Sequence, residues 1–162
     1  MKVVVAYDSV HGNTKQVAQA MTEQITADGH TPEIINLRED RRKSVEGDLL
    51  FVGGPTRMKK MTRPVKGFIK QLDRDYWSKR TLVVFDTYGP LGKTDEEKRR
   101  QEKWINPGAA GGMKELAVKR GLKVHPESAR FAVSDLKGPL VPDALDNAKA
   151  FVHRIVASHK SA

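Results

Sequence analysis

The sequence predicts an α/β protein, a three-layer α/β/α sandwich around a five-stranded parallel sheet. Short apolar runs alternate with segments in which apolar residues recur at helical spacing. The first run, Lys2–Tyr7, is apolar at nearly every position, which is typical of a strand buried on both faces. Strands that alternate with helices favour parallel pairing through right-handed crossovers. We therefore expect a ligand to bind at the carboxyl ends of the strands.

The first half of the chain contains three strands and two helices. The predicted strands are Lys2–Tyr7, Thr31–Leu37 and Asp48–Gly53. One helix is predicted over Gly12–Asp28, and a second over Pro64–Leu72. The proline of the second helix lies in its first turn, where the missing N–H costs no hydrogen bond. The charged segment Arg38–Gly47 is expected to be irregular or a short helix.

The second half of the chain completes the alternation. Arg80–Asp86 is predicted as the fourth strand. Val124 and Ala129–Val133 supply the fifth, with an interruption at His125-Pro126-Glu127. The remaining helices are predicted over Ala109–Arg120 and Asp143–Ser158. We expect residues 1–162 to form one domain.

A charged insertion at about residues 90–107 separates the fourth strand from its helix. Thr94 and Glu97 have the spacing of a capping box, so a polar helix is predicted from there to Trp104-Ile105, stopping at Asn106-Pro107. Nearly all its residues are charged. The sequence leaves two interpretations open, a solvated surface helix or a lid or partner-docking element that carries Trp104 over the site.

Composition indicates a globular protein without membrane insertion. No apolar run approaches the roughly 20 residues needed to span a bilayer, and the N-terminal run is too short for a signal peptide. We therefore expect a cytoplasmic protein. The absence of cysteine excludes disulfides, thiolate chemistry and Cys-bound metals, and no metal or catalytic residue is predicted.

The formal net charge of +9 is unusual for a small α/β domain. It indicates either a solvated surface with a basic bias or a surface for an acidic partner. Nucleic-acid binding is not expected, because the few aromatic residues do not alternate with the basic runs as a stacking platform would require.

The segment from Ser9 to Thr14 is the strongest functional signal, because it joins a buried strand directly to a helix. The hydroxyls of Ser9 and Thr14 can donate to phosphate oxygens, and Gly12 lets the backbone come close. The helix N-terminus adds free N–H groups and a positive dipole end. The segment lacks the lysine of a Walker loop and the three glycines of a dinucleotide turn, so a phosphomonoester is expected.

Two further loops follow the third and fourth strands. One begins Gly53-Gly54-Pro55-Thr56 and the other Thr87-Tyr88-Gly89-Pro90. Tyr88 offers an aromatic face, and Gly89 lets the backbone lie close to a planar ring. Together with the phosphate loop, they suit a flat heteroaromatic phosphate ester.

These motifs resemble those of the short-chain flavodoxins and flavodoxin-like flavoproteins along almost the whole chain. The matching elements are SVHGNT at Ser9–Thr14, the GGPT loop, KGFIKQL at Lys66–Leu72 and the TYG loop. The resemblance implies FMN as cofactor and the sheet order 2-1-3-4-5. The cofactor-binding residues that it implies are Ser9, Val10, His11, Gly12, Asn13 and Thr14 at the phosphate, and Pro55, Thr56, Arg57, Met58, Thr87, Tyr88 and Gly89 at the ring.

The chain departs from the family pattern in three ways. His11 replaces a frequent threonine, as a phosphate contact or as a surface side chain. The second loop has no aromatic residue, so Met58, Met61 or Trp104 is expected to cover that ring face. Typical flavodoxins are acidic, whereas this chain is basic. We expect the cations of the second loop to stabilise a negatively charged reduced flavin, or to bind an acidic partner; they are Arg57, Lys59, Lys60 and Arg63.

The function expected from these observations is electron transfer by bound FMN between redox partner proteins, which would carry acidic surfaces. An alternative is an FMN-dependent oxidoreductase acting on a quinone, a porphyrinogen or another small acceptor, although an electron carrier fits better than a self-sufficient enzyme. A third is a flavin-free regulatory or scaffold domain. A phosphoryl-accepting receiver would need an acidic pair where this chain has only Asp8. A Ser9–His11 hydrolase pair lacks an acid partner.

Overall fold

A parallel sheet forms the centre of the computed structural model, which describes residues 1–42 and 44–159. The strands are β1 (Lys2–Tyr7), β2 (Thr31–Asn36), β3 (Leu49–Pro55), β4 (Thr81–Tyr88), β5 (Lys123–Val124) and β6 (Ala129–Ala132). Their order is β2-β1-β3-β4-β5, and β6 also pairs with β4. The predicted order 2-1-3-4-5 is confirmed. The fifth position is shared, because β5 pairs with residues 81–82 of β4 and β6 with residues 85–88, on either side of the predicted interruption.

Helices cover both faces of this sheet, as predicted for a three-layer sandwich. They are α1 (Asn13–Ala27), α2 (Arg63–Gln71), α3 (Arg74–Trp77), α4 (Asp95–Ile105), α5 (Gly108–Lys119) and α6 (Ala144–Ser158). Apolar residues of α1 and α6 form one core cluster with the sheet. Those of α2 and α5 form a second cluster on the other face.

The alternation of side chains along β1 explains its continuous apolar run. Val3 and Val5 belong to the first core cluster, whereas Val4 and Ala6 belong to the second. All four side chains are fully buried. Since successive residues of a strand face opposite sides of the sheet, a strand covered by helices on both sides must be apolar at every position.

The short helix α3 was not predicted, because four residues are too few to show helical periodicity. Its Trp77 is fully buried, and the indole Nε1–H donates to the carbonyl oxygen of Val45 at 3.1 Å. This contact holds Val45 against α3, within the segment Arg38–Gly47, whose described residues form no regular helix or strand. Lys43 lies outside the described residues. Within residues 1–42 and 44–159, none of the helices has the length and apolar character needed to cross a bilayer.

The charged insertion forms α4, and the predicted capping box is present. The Thr94 hydroxyl accepts from the Glu97 N–H at 3.1 Å, and the Glu97 carboxylate accepts from the N–H of Thr94 at 3.4 Å and from that of Lys93 at 2.8 Å. No residue of α4 is buried. The helix therefore lies on the surface and has no apolar face against the core. Its position depends on the contacts at its two ends.

Candidate functional site

A cavity of about 550 Å³ lies where the carboxyl ends of β1, β3 and β4 meet. All of the predicted cofactor-binding residues line it except Gly12. Five further residues complete its wall, namely Trp104, Ile105, Val133, Leu136 and Lys137. The three loops expected to act together are thus brought to one place, as the topology of parallel strands requires.

The loop Ser9–Thr14 is a closed turn held by the side chain of its first residue. The Ser9 hydroxyl oxygen accepts from the N–H groups of Gly12 at 3.0 Å and Lys15 at 3.3 Å, which holds the turn closed. Gly12 has φ of +91°, a conformation that favours glycine. It shapes the turn although its atoms do not line the cavity.

Helix α1 begins at Asn13 without a side-chain cap and without an acidic residue in its first turn. In the described part of the chain, the N–H groups of Asn13 and Thr14 have no protein acceptor. The first N–H groups of a helix attract an anion through their hydrogen bonds and through the helix dipole. The donor set at this end of the cavity therefore fits a phosphate group.

Thr14 and Thr87 link the first loop to the loop after β4. Their hydroxyl oxygens lie 2.8 Å apart, and both residues are buried. One hydroxyl must donate and the other accept, so this hydrogen bond fixes the spacing of the two loops. Sequence reasoning treated Thr14 only as a phosphate donor and did not foresee this bond.

The loop after β6 closes the cavity over the loop Ser9–Thr14, and it was missed from the sequence. The side-chain amide of Asn13 donates to the carbonyl oxygen of Lys137 at 3.2 Å. Gly138 has φ of +106°, and a side chain there would collide with Asn13. The rule that ligands bind at the carboxyl ends of strands, applied to β6, would have found this loop.

Asp86, near the end of β4, holds the residues behind the cavity wall in place. Its fully buried carboxylate accepts from the Thr56 hydroxyl at 2.9 Å, the Ala110 N–H at 3.0 Å and the Arg130 Nε–H at 2.9 Å. Thr56 in turn accepts from the N–H of Ala109 at 2.8 Å. The hydroxyl of Thr56, predicted at the ring, is therefore committed to this network.

The second loop makes a tight turn between Arg57 and Lys60, which exchange two backbone hydrogen bonds of 2.9 and 3.0 Å. Its central residues, Met58 and Lys59, have φ of +48° and +61°. Residues other than glycine adopt such angles at a cost, and strained backbone of this kind concentrates at functional sites. Met58 lines the cavity and its side chain is 72% exposed.

The four cations of the second loop differ in their position relative to the cavity. Arg57 lines it, whereas Lys59 and Lys60 lie outside its wall, because the tight turn separates them from their neighbour. Arg63 lines a separate cavity with Arg38. The expectation that these cations stabilise a reduced flavin or bind an acidic partner stays a prediction, and Arg57 is the member of the set that lines the cavity. Met61, also considered for that ring face, packs against the second core cluster instead.

Asp8 follows β1 and is fully buried beside the site. Arg38 donates to both of its oxygens, at 2.9 and 3.0 Å, and Thr62 donates at 2.6 Å. The hydrogen bond and the charge of Asp8 raise the pKa of Arg38 above its usual value. Asp8 and Asp86 are thus each paired with an arginine, so the negative charge of each is compensated.

A family model described as Flavodoxin domain matches residues 4–122. Among curated proteins, the coenzyme F420H(2) oxidase of Methanothermobacter marburgensis is 29% identical over 141 residues. The match covers 82% of this chain but 31% of that oxidase, so the chain spans less than a third of its relative's length.

Solved structures share this fold. A flavodoxin from the domain Archaea matches with a TM-score of 0.70 and 20% identity, over 97% of each chain. Flavodoxin 1 from Bacillus cereus matches with a TM-score of 0.72 and 15% identity, over 99% of this chain and 100% of that chain. The flavodiiron core of Flv1 from Synechocystis matches 98% of this chain with a TM-score of 0.67 and 15% identity, but the match spans 36% of that chain.

Proposed function

Because the chain belongs to the flavodoxin domain family, whose members transfer electrons to redox partners by means of a flavin, we propose that it binds FMN in the cavity and carries electrons between partner proteins. One observation supports this proposal most strongly. The uncapped start of α1 and an aromatic wall at Tyr88 border the same cavity. A phosphate donor set and a stacking face at one site are what a flat phosphate ester requires.

The phosphate site supports a mononucleotide. The N–H groups of Asn13 and Thr14 and the hydroxyl of Ser9 form one compact donor set. Lys137 adds a positive charge to the same wall, and His11 lines it with an exposed side chain. One such set suits a single terminal phosphate, and the three-glycine pattern that accommodates a pyrophosphate is absent from the sequence.

The opposite walls of the cavity support a flat ring. Tyr88 forms one side, and Met58 and Trp104 supply polarisable or aromatic surface elsewhere in the wall. When bound, the flavin supplies the redox chemistry, and the residues of the chain orient it and limit the access of water. Arg57 in the wall favours negative charge nearby, although the exposure of its side chain weakens that effect.

The absorbance spectrum of the purified protein and titrations with FMN and riboflavin test this proposal. We expect a yellow protein, or an apoprotein that binds FMN at least about tenfold more tightly than riboflavin, because only FMN carries the phosphate. Equal affinities for FMN and riboflavin would contradict the phosphate assignment. A colourless protein that binds neither would favour the flavin-free regulatory or scaffold alternative.

We further propose that the redox partner is acidic. Exposed apolar side chains surround the cavity mouth, Met58 at 72%, Trp104 at 51% and Leu136 at 77% exposure. Cationic side chains accompany them, with Arg57 and Lys137 in the wall and Lys103 5.9 Å from the Trp104 ring. An apolar surface bordered by positive charge favours a partner of opposite charge.

Small charged oxidants separate this electrostatic effect from other causes. The reduced holoprotein should react faster with ferricyanide, an anion, than its driving force alone predicts, and added salt should slow that reaction. With hexaammineruthenium(III), a cation, added salt should accelerate the reaction. The same salt dependence with both probes would contradict a positive potential at the mouth.

A second candidate is an FMN-dependent oxidoreductase acting on a quinone, a porphyrinogen or another small acceptor. The observation that favours it is the position of the insertion, since Trp104 and Ile105 form part of the cavity wall and could contact a substrate. Sustained turnover of NAD(P)H with a quinone by the purified holoprotein alone would support the enzyme. Reduction only in the presence of a separate reductase would support the carrier.

A further inference from the structure

We infer that Arg130 on β6 is a positioning residue that sets the plane of Tyr88 and holds the end of the α4 insertion against the cavity. This inference rests on the proposed function for its consequences at the flavin, but the contacts themselves stand independently of any ligand. No motif pointed to Arg130, and its side chain does not line the cavity. It contacts two residues that do line the cavity, Tyr88 and Ile105.

The first contact of Arg130 anchors its guanidinium in the fold. Its Nε–H donates to both oxygens of Asp86, at 2.9 and 3.2 Å. Asp86 is fully buried and is itself held by Thr56 and by the backbone of α5. A charge-assisted hydrogen bond of this kind is strong. It therefore holds the guanidinium in a fixed position near the end of β4.

The second contact is with Tyr88. The central carbon of the guanidinium lies 4.1 Å from the centroid of the phenol ring, which is the geometry of cation–π stacking. Tyr88 also lines the cavity. A flat cation against the ring limits the rotation of the ring, so Arg130 restricts the surface on which a planar ligand stacks.

The third contact reaches the insertion. The two terminal nitrogens of Arg130 donate to the carbonyl oxygen of Ile105 at 2.7 Å and to the side-chain oxygen of Asn106 at 2.8 Å. These acceptors lie at the carboxyl end of α4, directly after Trp104. Because α4 buries no residue of its own, these bonds determine how close Trp104 and Ile105 stand to the cavity.

Only an arginine can make all of these contacts together. Its planar group offers donors along three edges and a face for stacking, whereas lysine offers a single compact ammonium. The surroundings are shaped to it, since a Cβ at position 108 would overlap the guanidinium and glycine stands there with φ of +79°. One rigid group thus links the orientation of Tyr88 to the position of the insertion.

The test compares Arg130→Lys with Arg154→Lys. The first variant retains a charge opposite Asp86 but loses the stacking and the two bonds to α4. Arg154 is the matched control, because it lies 5.5 Å from the Phe151 ring and pairs with Glu127 at 3.3 Å, away from the cavity. Amide hydrogen exchange of residues 94–106 in the apoprotein and the Kd for FMN are measured for both.

In Arg130→Lys we expect exchange at the carboxyl end of α4 to accelerate, and the Kd for FMN to rise about tenfold. Acrylamide should also quench Trp104 more readily, an interpretable signal because the other tryptophan, Trp77, is fully buried. Arg154→Lys should change none of these. Exchange in α4 equal to that of the natural protein, or the same FMN affinity in both variants, would overturn the inference.

Asn106→Ala is the second variant, in case Arg130→Lys fails to fold. It removes one acceptor from α4 and leaves the pair of Arg130 with Asp86 in place. We expect faster exchange at the end of α4 with little change in thermal stability, and unchanged exchange would overturn the positioning role. If the natural protein binds no FMN, the proposed function fails, while the exchange measurements still decide the role of Arg130.

Discussion

The hydroxyl groups of Thr14 and Thr87 lie 2.8 Å apart in the interior, although 73 positions separate the two residues in the chain. The bond joins the start of α1 to the end of β4, and therefore the predicted phosphate end of the cavity to its predicted ring end. Both residues are almost entirely buried, and both contribute to the cavity wall. The spacing of the two ends is built into the apoprotein.

Replacing Thr87 by valine tests this bond. The change preserves shape but leaves the buried Thr14 hydroxyl without its partner, so the free energy of unfolding should fall by about 1–3 kcal/mol. Thr26→Val is the control, because the Thr26 side chain is exposed and bonds only within α1. Urea unfolding measures both. An equal decrease in the free energy of unfolding in the two variants would show that the Thr14–Thr87 bond stabilises the protein no more than an exposed threonine does.

Gly53 lies in β3, and a Cβ there would overlap the ring of Phe85. Gly53→Ala should therefore destabilise the protein by about 1–3 kcal/mol through overpacking. Gly67→Ala is expected to act in the opposite direction, stabilising by about 0.5–1 kcal/mol, because Gly67 is an exposed position in α2 with open space around it. Thermal unfolding of both variants gives the signs, and a stable Gly53→Ala protein would refute the packing argument.

Arg57 is the cation of the second loop that lines the cavity. Arg57→Gln should make the midpoint potential of a one-electron step of the bound flavin more negative, by about 20–40 mV for an exposed interaction of about 0.5–1 kcal/mol. Lys59→Gln removes a charge that lies outside the wall and should shift the potential less. Equal shifts in a redox titration would indicate a general surface potential rather than a local effect of Arg57.

The environment of Glu33 should make the free energy of unfolding depend on pH. A hydrogen bond from Lys2, reinforced by the charges of Lys2 and Arg42, lowers the pKa of Glu33 below its usual value, while partial burial opposes the shift. The folded state therefore holds this proton less tightly than the unfolded chain. The stabilisation is present above the unfolded pKa and is lost as the pH falls through the folded pKa.

Glu33→Gln should consequently lower the free energy of unfolding by up to about 1 kcal/mol at neutral pH, with the difference from the natural protein disappearing in acid. Urea unfolding at neutral pH and at about pH 3 measures this difference. Glu115→Gln is the control, because its partner Lys119 lies one turn away on an exposed helix surface. A difference for Glu33→Gln that stays constant with pH would contradict the assignment.

The parts of the fold predicted from sequence are those with a local signal. Ser9–Thr14 needed no long-range information, because strand, turn and helix follow one another without a break. The paired loops followed from the rule for parallel sheets. Helix α3 is too short to show a period, and Trp77 gave no sign that its partner is the carbonyl of Val45.

The details that sequence reasoning missed depend on contacts between distant parts of the chain. Arg130 and Asp86 are 44 positions apart, so no spacing pattern joins them. Lys59 and Lys60 show the opposite case. They are neighbours of Arg57 in sequence, but the backbone angles of the tight turn keep them out of the cavity wall. Adjacency along the chain therefore does not by itself place a residue in the cavity wall.

Helix α4 is fixed by its capping box at one end and by Arg130 at the other, while its middle touches no core. Substitutions at the exposed charged positions of residues 95–103 other than Glu97 should therefore cost little in folding. Substitutions in the insertion can therefore change the surface that the protein presents to a partner. The cavity and the sheet beneath it would keep their form while that change takes place.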